Sequence, residues 1–193
     1  MSLDAVLFED EHFVFNFYER HLNLRQVKQS GKQLTVPFST NGFKVTSFNP
    51  DTDLPGEVEE IYIGKNVETL GESIIGLNQH APSVKYAYVD KENKKMESYG
   101  QVVYRNDIPY YVPASAETIQ FKGIATFGKN FLVDHQHVQT VVIQPGTKTL
   151  EAYAFENCPN LQKAYIPEET KVDGNAFYKV HSNFKITRGI VKD

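Results

Sequence analysis

The chain has 193 residues, 40% hydrophobic and 23% charged, with 13 Phe, 11 Tyr, no Trp and a formal charge of -4. Such a composition suits a folded protein with a real core and excludes wholesale disorder, while the negative balance gives no global attraction for nucleic acid or an anionic membrane. A lone cysteine, Cys158, excludes an intrachain disulfide framework and a thiolate zinc cluster, and no apolar run approaches the ~18 residues of a membrane-crossing helix.

Residues 1–11 lack a basic segment followed by an apolar one, so an export signal and any anchor are expected outside this chain. Residues 1–57 are expected to form a β cap plus a first partial repeat. Phe13-Val-Phe-Asn-Phe-Tyr18 and Leu22-Asn-Leu-Arg-Gln-Val27 alternate, Ser30-Gly31-Lys32 leads into Leu34-Thr-Val-Pro37, and Asn41-Gly42 turns the chain into Phe43-Lys-Val-Thr-Ser-Phe48. Alternation broken by such turn residues predicts short antiparallel strands that cap the first full repeat.

From residue 58 a period takes over. Val138-Gln-Thr-Val-Val-Ile and Leu161-Gln-Lys-Ala-Tyr-Ile start blocks 23 residues apart, each followed by an Ala-Phe pair, Ala154-Phe155 and Ala176-Phe177. The same six-residue pattern starts at 58, 84 and 116, and partially at 184. A unit this short cannot bury its own apolar face and does so by stacking on its neighbours. Residues 58–193 therefore read as a solenoid whose last unit stops before a closing turn. Gly100-Gln-Val-Val-Tyr104 and Ile108-Pro-Tyr-Tyr-Val-Pro113, joined by Arg105-Asn-Asp107, read as a β-hairpin inserted at about 98–115.

Within each repeat strand, the period of two sends alternate side chains outward. One outward row is Tyr62, Tyr88, Gln120, Val142, Tyr165 and Arg188; the other is Glu60, Tyr86, Thr118, Thr140, Lys163 and Ile186. Tyr62, Tyr86, Tyr88, Thr118, Gln120, Thr140, Val142, Lys163 and Tyr165 form the candidate ligand-binding ribbon, because tyrosine gives a large contact area at small ordering cost. Exposed Tyr and Thr also follow from strand propensity alone, and the sequence leaves both explanations open. His135, Cys158 and His181 fall at one repeat position, which suits turn packing better than metal ligation. Asp134, Glu151, Glu156, Glu168 and Glu169 show no spacing that brings two acids to one cleft, and neither a nucleophile elbow nor a glycine-rich phosphate loop occurs. No catalytic residue, cofactor or metal is expected.

The set Val138, Val141, Ile143, Pro145, Leu150, Ala154-Phe155, Cys158 and Asn160-Leu161, then Ala164, Ile166-Pro167, Val172 and Ala176-Phe177, resembles the leucine-rich repeat proteins of the bacterial surface-antigen (BspA-like) type. The likeness covers roughly residues 30 to 190. It includes a leading segment similar to Gly31…Ser47 and a recurring inserted hairpin similar to Val89…Pro113; Gly64 departs from the usual proline, and Ile74-Ile75 and Phe131-Leu132 from the Ala-Phe pair. The resemblance implies an α/β-type repeat solenoid, predominantly β, a right-handed coil with an N-terminal β cap and an inserted hairpin. It further implies a cell-surface or extracellular adhesion module whose partner is a host or environmental protein or glycan, with self-association through the C-terminal solenoid end as a further expectation. The other expectation is a structural spacer of a larger envelope protein.

Overall fold

The computed structural model describes residues 6–48, 54–70 and 82–189. Among these residues every regular element is a strand, as the short alternating runs and frequent Gly, Pro and Asn turns demand. Contacts divide the chain into two compact units, Met1–Ser98 with Val103–Pro113 and Tyr99–Val102 with Ala114–Asp193.

In the first unit, β1 (Val6–Glu9), β2 (Phe13–Tyr18), β3 (His21–Val27), β4 (Gln33–Val36), β5 (Ser39–Thr40) and β6 (Phe43–Phe48) precede the first full repeat. Five of them form one sheet in the order β1-β2-β3-β6-β5. The Asn41-Gly42 pair, at φ 46° and 82°, makes the β5–β6 turn that its sequence announces. Two of the strands depart from the expected antiparallel set. β6 lies parallel to β3, and β4 leaves this sheet to pair in parallel with β7 (Glu60–Ile63), which pairs in parallel with β8 (Tyr86–Val89). The reason is local: Leu34 and Val36 are the buried pair of β4, in register with Ile61 and Ile63, so β4 carries the solenoid's own inward pattern and is its first strand. The Ile74-Ile75 pair lies outside the described residues.

The inserted segment contains β9 (Met96–Tyr99), β10 (Val102–Arg105) and β11 (Ile108–Tyr111) in the order β11-β10-β9. Asn106 and Asp107, at φ 52° and 61°, form the expected two-residue turn between antiparallel β10 and β11. β9 is an additional strand that its polar sequence, Met-Glu-Ser-Tyr, concealed. Asn93 ties the segment down: its Nδ2 donates to the carbonyls of Gly64 and Val67, and its Oδ1 accepts from the N–H groups of Lys95 and Met96.

The second unit is a β-solenoid with three parallel sheets. β12 (Thr118–Phe121), β15 (Thr140–Ile143), β18 (Lys163–Ile166) and β20 (Lys185–Arg188) form the first. β13 (Thr126–Phe127), β16 (Thr149–Leu150) and β19 (Lys171–Val172) form the second, and β14 (Leu132–Val133) with β17 (Phe155–Glu156) the third. Ile119, Phe121, Val141, Ile143, Ala164 and Ile166 point inward and are buried, as period-two alternation requires. Between the sheets, Phe127 and Phe131 meet edge to face at 4.6 Å, and Phe155 and Phe177 stack at 5.1 Å and 10°. The corners repeat too: Asp134, Asn157 and Lys179 all have φ between 54° and 59°. Asn157 Nδ2 donates to Asp134 Oδ1 between successive coils.

One register assignment needs correction. Lys163 pairs with Lys185 and Tyr165 with Thr187, so the last repeat step is one residue shorter than 23. A one-residue slip exchanges the two faces. The outward positions of β20 are therefore Lys185 and Thr187, not Ile186 and Arg188.

Candidate functional site

The nine ribbon residues fall on two different sheets. Tyr62, Tyr86 and Tyr88 belong to the β4-β7-β8 sheet of the first unit, and Thr118, Gln120, Thr140, Val142, Lys163 and Tyr165 to the β12-β15-β18-β20 sheet of the second.

On the first sheet, the ladder sets Tyr62 opposite Tyr88 and Glu60 opposite Tyr86. The rings of Tyr62 and Tyr88 stack at 4.9 Å and 26°, and those of Tyr86 and Tyr88 at 6.3 Å and 15°. All three remain well exposed, at 37–39%. Neighbouring parallel strands lie about 4.8 Å apart, so the Tyr62–Tyr88 stack follows from the ladder itself. The group is held in place by polar contacts. Tyr62 donates its hydroxyl to Glu60 Oε2 at 2.9 Å, and Gln33 Nε2 donates to the same oxygen at 2.9 Å. The bond to Glu60 raises the Tyr62 hydroxyl above the usual phenol range; partial burial, then the Glu60 charge, does the same for Tyr88. Both rings stay neutral and apolar-faced at physiological pH.

Beside the stack, at the C-terminal ends of the three strands, lies a groove of about 430 Å³ lined by residues that include Thr35, Phe38, Tyr62, Gly64, Tyr88 and Asp90. Gly64 lines it where two coils touch. A Cβ there would lie 2.9 Å from Val36 O and 3.0 Å from Phe38 N, so the close approach of the two coils demands glycine. The sequence marked Gly64 only as a departure from proline; the groove and the part played by Phe38 were not read from it.

The second sheet offers less. Outward rows run Thr118, Thr140, Lys163 and Gln120, Val142, Tyr165, but Val142 is only 9% exposed, so it packs and does not present itself. The turn between β9 and β10 rests on Gln120. Gln120 N–H donates to Gly100 O at 2.7 Å, Gln120 Nε2 donates to Tyr99 Oη at 3.0 Å, and a Cβ on Gly100 would lie 2.3 Å from Gln120 Cβ. Lys163 and Thr118 are exposed, and Thr140 and Tyr165 are half-buried.

His135, Cys158 and His181 all lie at the turns, but the 22-residue last step puts Val180, not His181, level with Cys158. His135 Nδ1 accepts from Val138 N–H at 3.1 Å, His181 Nδ1 from Asn183 N–H at 3.1 Å, and the buried Cys158 thiol lies 3.6 Å from Leu132 O. Burial pushes the thiol up to about 11. These contacts assign the three to turn packing. Among the described residues no group of three or more His, Cys, Asp or Glu side chains is placed to hold a metal ion, and no helix is long and apolar enough to cross a membrane.

Residues 110–185 match the family model of the BspA type leucine rich repeat region in six copies. This segment is a BspA type leucine rich repeat region. The match begins within β11 and takes in the inward rows of β12, β15 and β18, while the parallel ladder already starts at β4 in the first unit. The chain is similar to a leucine rich cell surface protein from Faecalibacterium prausnitzii A2-165, at 10% identity over 100% of this chain and 97% of that one, with a TM-score of 0.33. It is similar also to the pneumococcal vaccine antigen PcpA, at 12% identity over 95% and 88% with a TM-score of 0.34. A leucine-rich repeat protein from Eubacterium ventriosum ATCC 27560 aligns at 11% identity over 94% and 83%, with a TM-score of 0.30. No curated protein matches the chain. The BspA type repeats belong to bacterial surface repeat proteins, and leucine-rich repeat families are non-enzymatic scaffolds.

Proposed function

We propose that this protein is a surface-exposed binding module that takes a protein or glycan on the outward tyrosines of its first solenoid sheet. The observation that carries the reading is the exposed stacked group Tyr62, Tyr86 and Tyr88, whose Tyr62 ring is fixed by the Gln33–Glu60–Tyr62 hydrogen bonds. Exposed aromatic rings held in one geometry lose little freedom on binding, which is where contact area converts best into affinity. Simple strand propensity accounts for tyrosines on a sheet; it does not account for a polar network that orients Tyr62 beside an open groove. Lys163, Tyr165, Thr118 and Thr140 on the second sheet supply a weaker, more polar surface, and the chain performs no catalysis. The same proposal places the module on the cell surface or outside the cell, as the surface-protein description of BspA type repeats supports.

The test is capture on immobilised mucin and extracellular-matrix proteins, followed by surface plasmon resonance, with the double variant Tyr62→Ala/Tyr88→Ala. Capture should fall at least tenfold. Each truncation removes a stacked but exposed ring, so unfolding free energy should drop by no more than about 1 kcal/mol per site. Undiminished capture would overturn the site, and absence of capture by the native chain would favour the spacer reading.

A further inference from the structure

The groove beside Tyr62 has a chemistry of its own that narrows the ligand, and this step rests on the first sheet being the binding site. Tyr88 covers one face of the Tyr62 ring. The other face turns toward β4, where the register partner is Thr35, an exposed and much smaller residue. Phe38, half exposed, forms a further aromatic wall, and the Gly64 backbone lines the slot as well. The result is a slot beside the small Thr35 side chain, with a ring face on one side.

Charge decides what can enter it. Asp90 lines the slot and Glu60 holds the hydroxyl of its Tyr62 wall, so an anionic ligand would be opposed. A cation meets the Lys65 ammonium, which lies 5.0 Å over the Phe38 ring and 2.8 Å from Glu92. A peptide strand needs a free backbone edge, whereas the slot runs across the ends of three strands whose backbones pair with one another. A pyranose ring meets each condition: its C–H face packs on an aromatic ring, and its hydroxyls donate to carboxylates. Asp90 Oδ1 already accepts the Glu92 N–H at 2.8 Å, which fixes the carboxylate while its other oxygen retains acceptor capacity. We infer that the groove at the ends of β4, β7 and β8 binds a neutral saccharide, one ring stacked on the free face of Tyr62 and its hydroxyls held by Asp90.

Saturation-transfer NMR on the full chain tests this with neutral tetrasaccharides built on glucose, galactose, mannose and N-acetylglucosamine, and with tetragalacturonate as the acidic probe. At least one neutral probe should receive saturation at its ring C–H protons, and tetragalacturonate none. Thr35→Phe should fill the slot and weaken that binding at least tenfold, as should Asp90→Asn or Tyr62→Ala, while Tyr178→Ala, an exposed ring elsewhere, should leave it unchanged. Thr35 is exposed, so its replacement keeps the native melting curve, which circular dichroism checks. No transfer to any neutral probe, preference for the acidic one, or binding indifferent to Thr35→Phe would overturn the saccharide assignment. If a matrix protein is still captured in a Tyr62- and Tyr88-dependent way after enzymatic deglycosylation, the saccharide fails while the binding-module reading stands.

Discussion

Cys158 and Tyr111 show how single residues here serve packing. Cys158 is wholly buried with its thiol pushed up to about 11, and Tyr111 is wholly buried with its hydroxyl displaced further above the phenol range; desolvation of the charged form is the main cause for each. Both groups release their protons more readily from the unfolded chain. The thiol's contribution to stability is therefore complete below about pH 9 and is lost as pH rises from its ordinary value of 9.0 toward 11, and that of the Tyr111 hydroxyl is lost only from its ordinary value of 10.0 upward. Urea denaturation should show a falling midpoint between pH 9 and pH 11, and Cys158→Ala should flatten the thiol's part of that fall. A disulfide reagent at pH 8 should label Cys158 only as fast as the chain opens; immediate labelling of the native protein would contradict the burial. The repeat position of Cys158 was enough to read it as a packing residue, because its equivalent His135 differs in chemistry and shares only its place in the turn; with a 22-residue last step the next equivalent is Val180, not His181. Gly64 was not legible in the same way, since its reason is a clash with Val36 O across coils, and no single coil's sequence contains that distance.

At the level of elements, the repeat strands were legible to within two residues. Expected starts at 58, 84, 116, 138 and 161 correspond to strands beginning at 60, 86, 118, 140 and 163, because Val58, Val84, Ala116, Val138 and Leu161 are buried anchors in the turns just before the ladders. The last step escaped because a 22-residue and a 23-residue unit look alike until the ladder fixes the register. The two-residue strands of the second and third sheets escaped because they are too short to show a period, and β4 because its four residues alternate like any cap strand. Contacts between coils also bear weight at these corners. Thr170 Oγ1 donates to Thr147 O at 2.8 Å between buried residues one repeat apart, so Thr170→Val should lower stability by about 1–2 kcal/mol in chemical denaturation. Asn93, with four side-chain hydrogen bonds to backbone, should cost about 2 kcal/mol on replacement by Ala; a neutral result at either site would show that water replaces these bonds.

For the whole molecule, the consequence of folding into two compact units is that the candidate ribbon is two surfaces of unequal character. The first unit displays three oriented tyrosines beside an open groove, and the second packs Val142 and holds Gln120 under the Tyr99-Gly100 turn. Sequence periodicity placed Tyr62, Tyr86 and Tyr88 outward in advance, yet it treats all coils as equivalent and so predicts one continuous ribbon. What distinguishes the sheets is non-periodic: the small Thr35 leaves space on one, and an inserted turn fills space on the other. We propose recognition on the first sheet, and one comparison addresses that directly. Binding to immobilised mucin and matrix proteins is measured for two variants with matched losses of outward side chains, Tyr62→Ala/Tyr88→Ala and Lys163→Ala/Tyr165→Ala. At least a tenfold loss is expected for the first pair and less than a threefold loss for the second; the reverse order, or equal losses, would contradict the assignment.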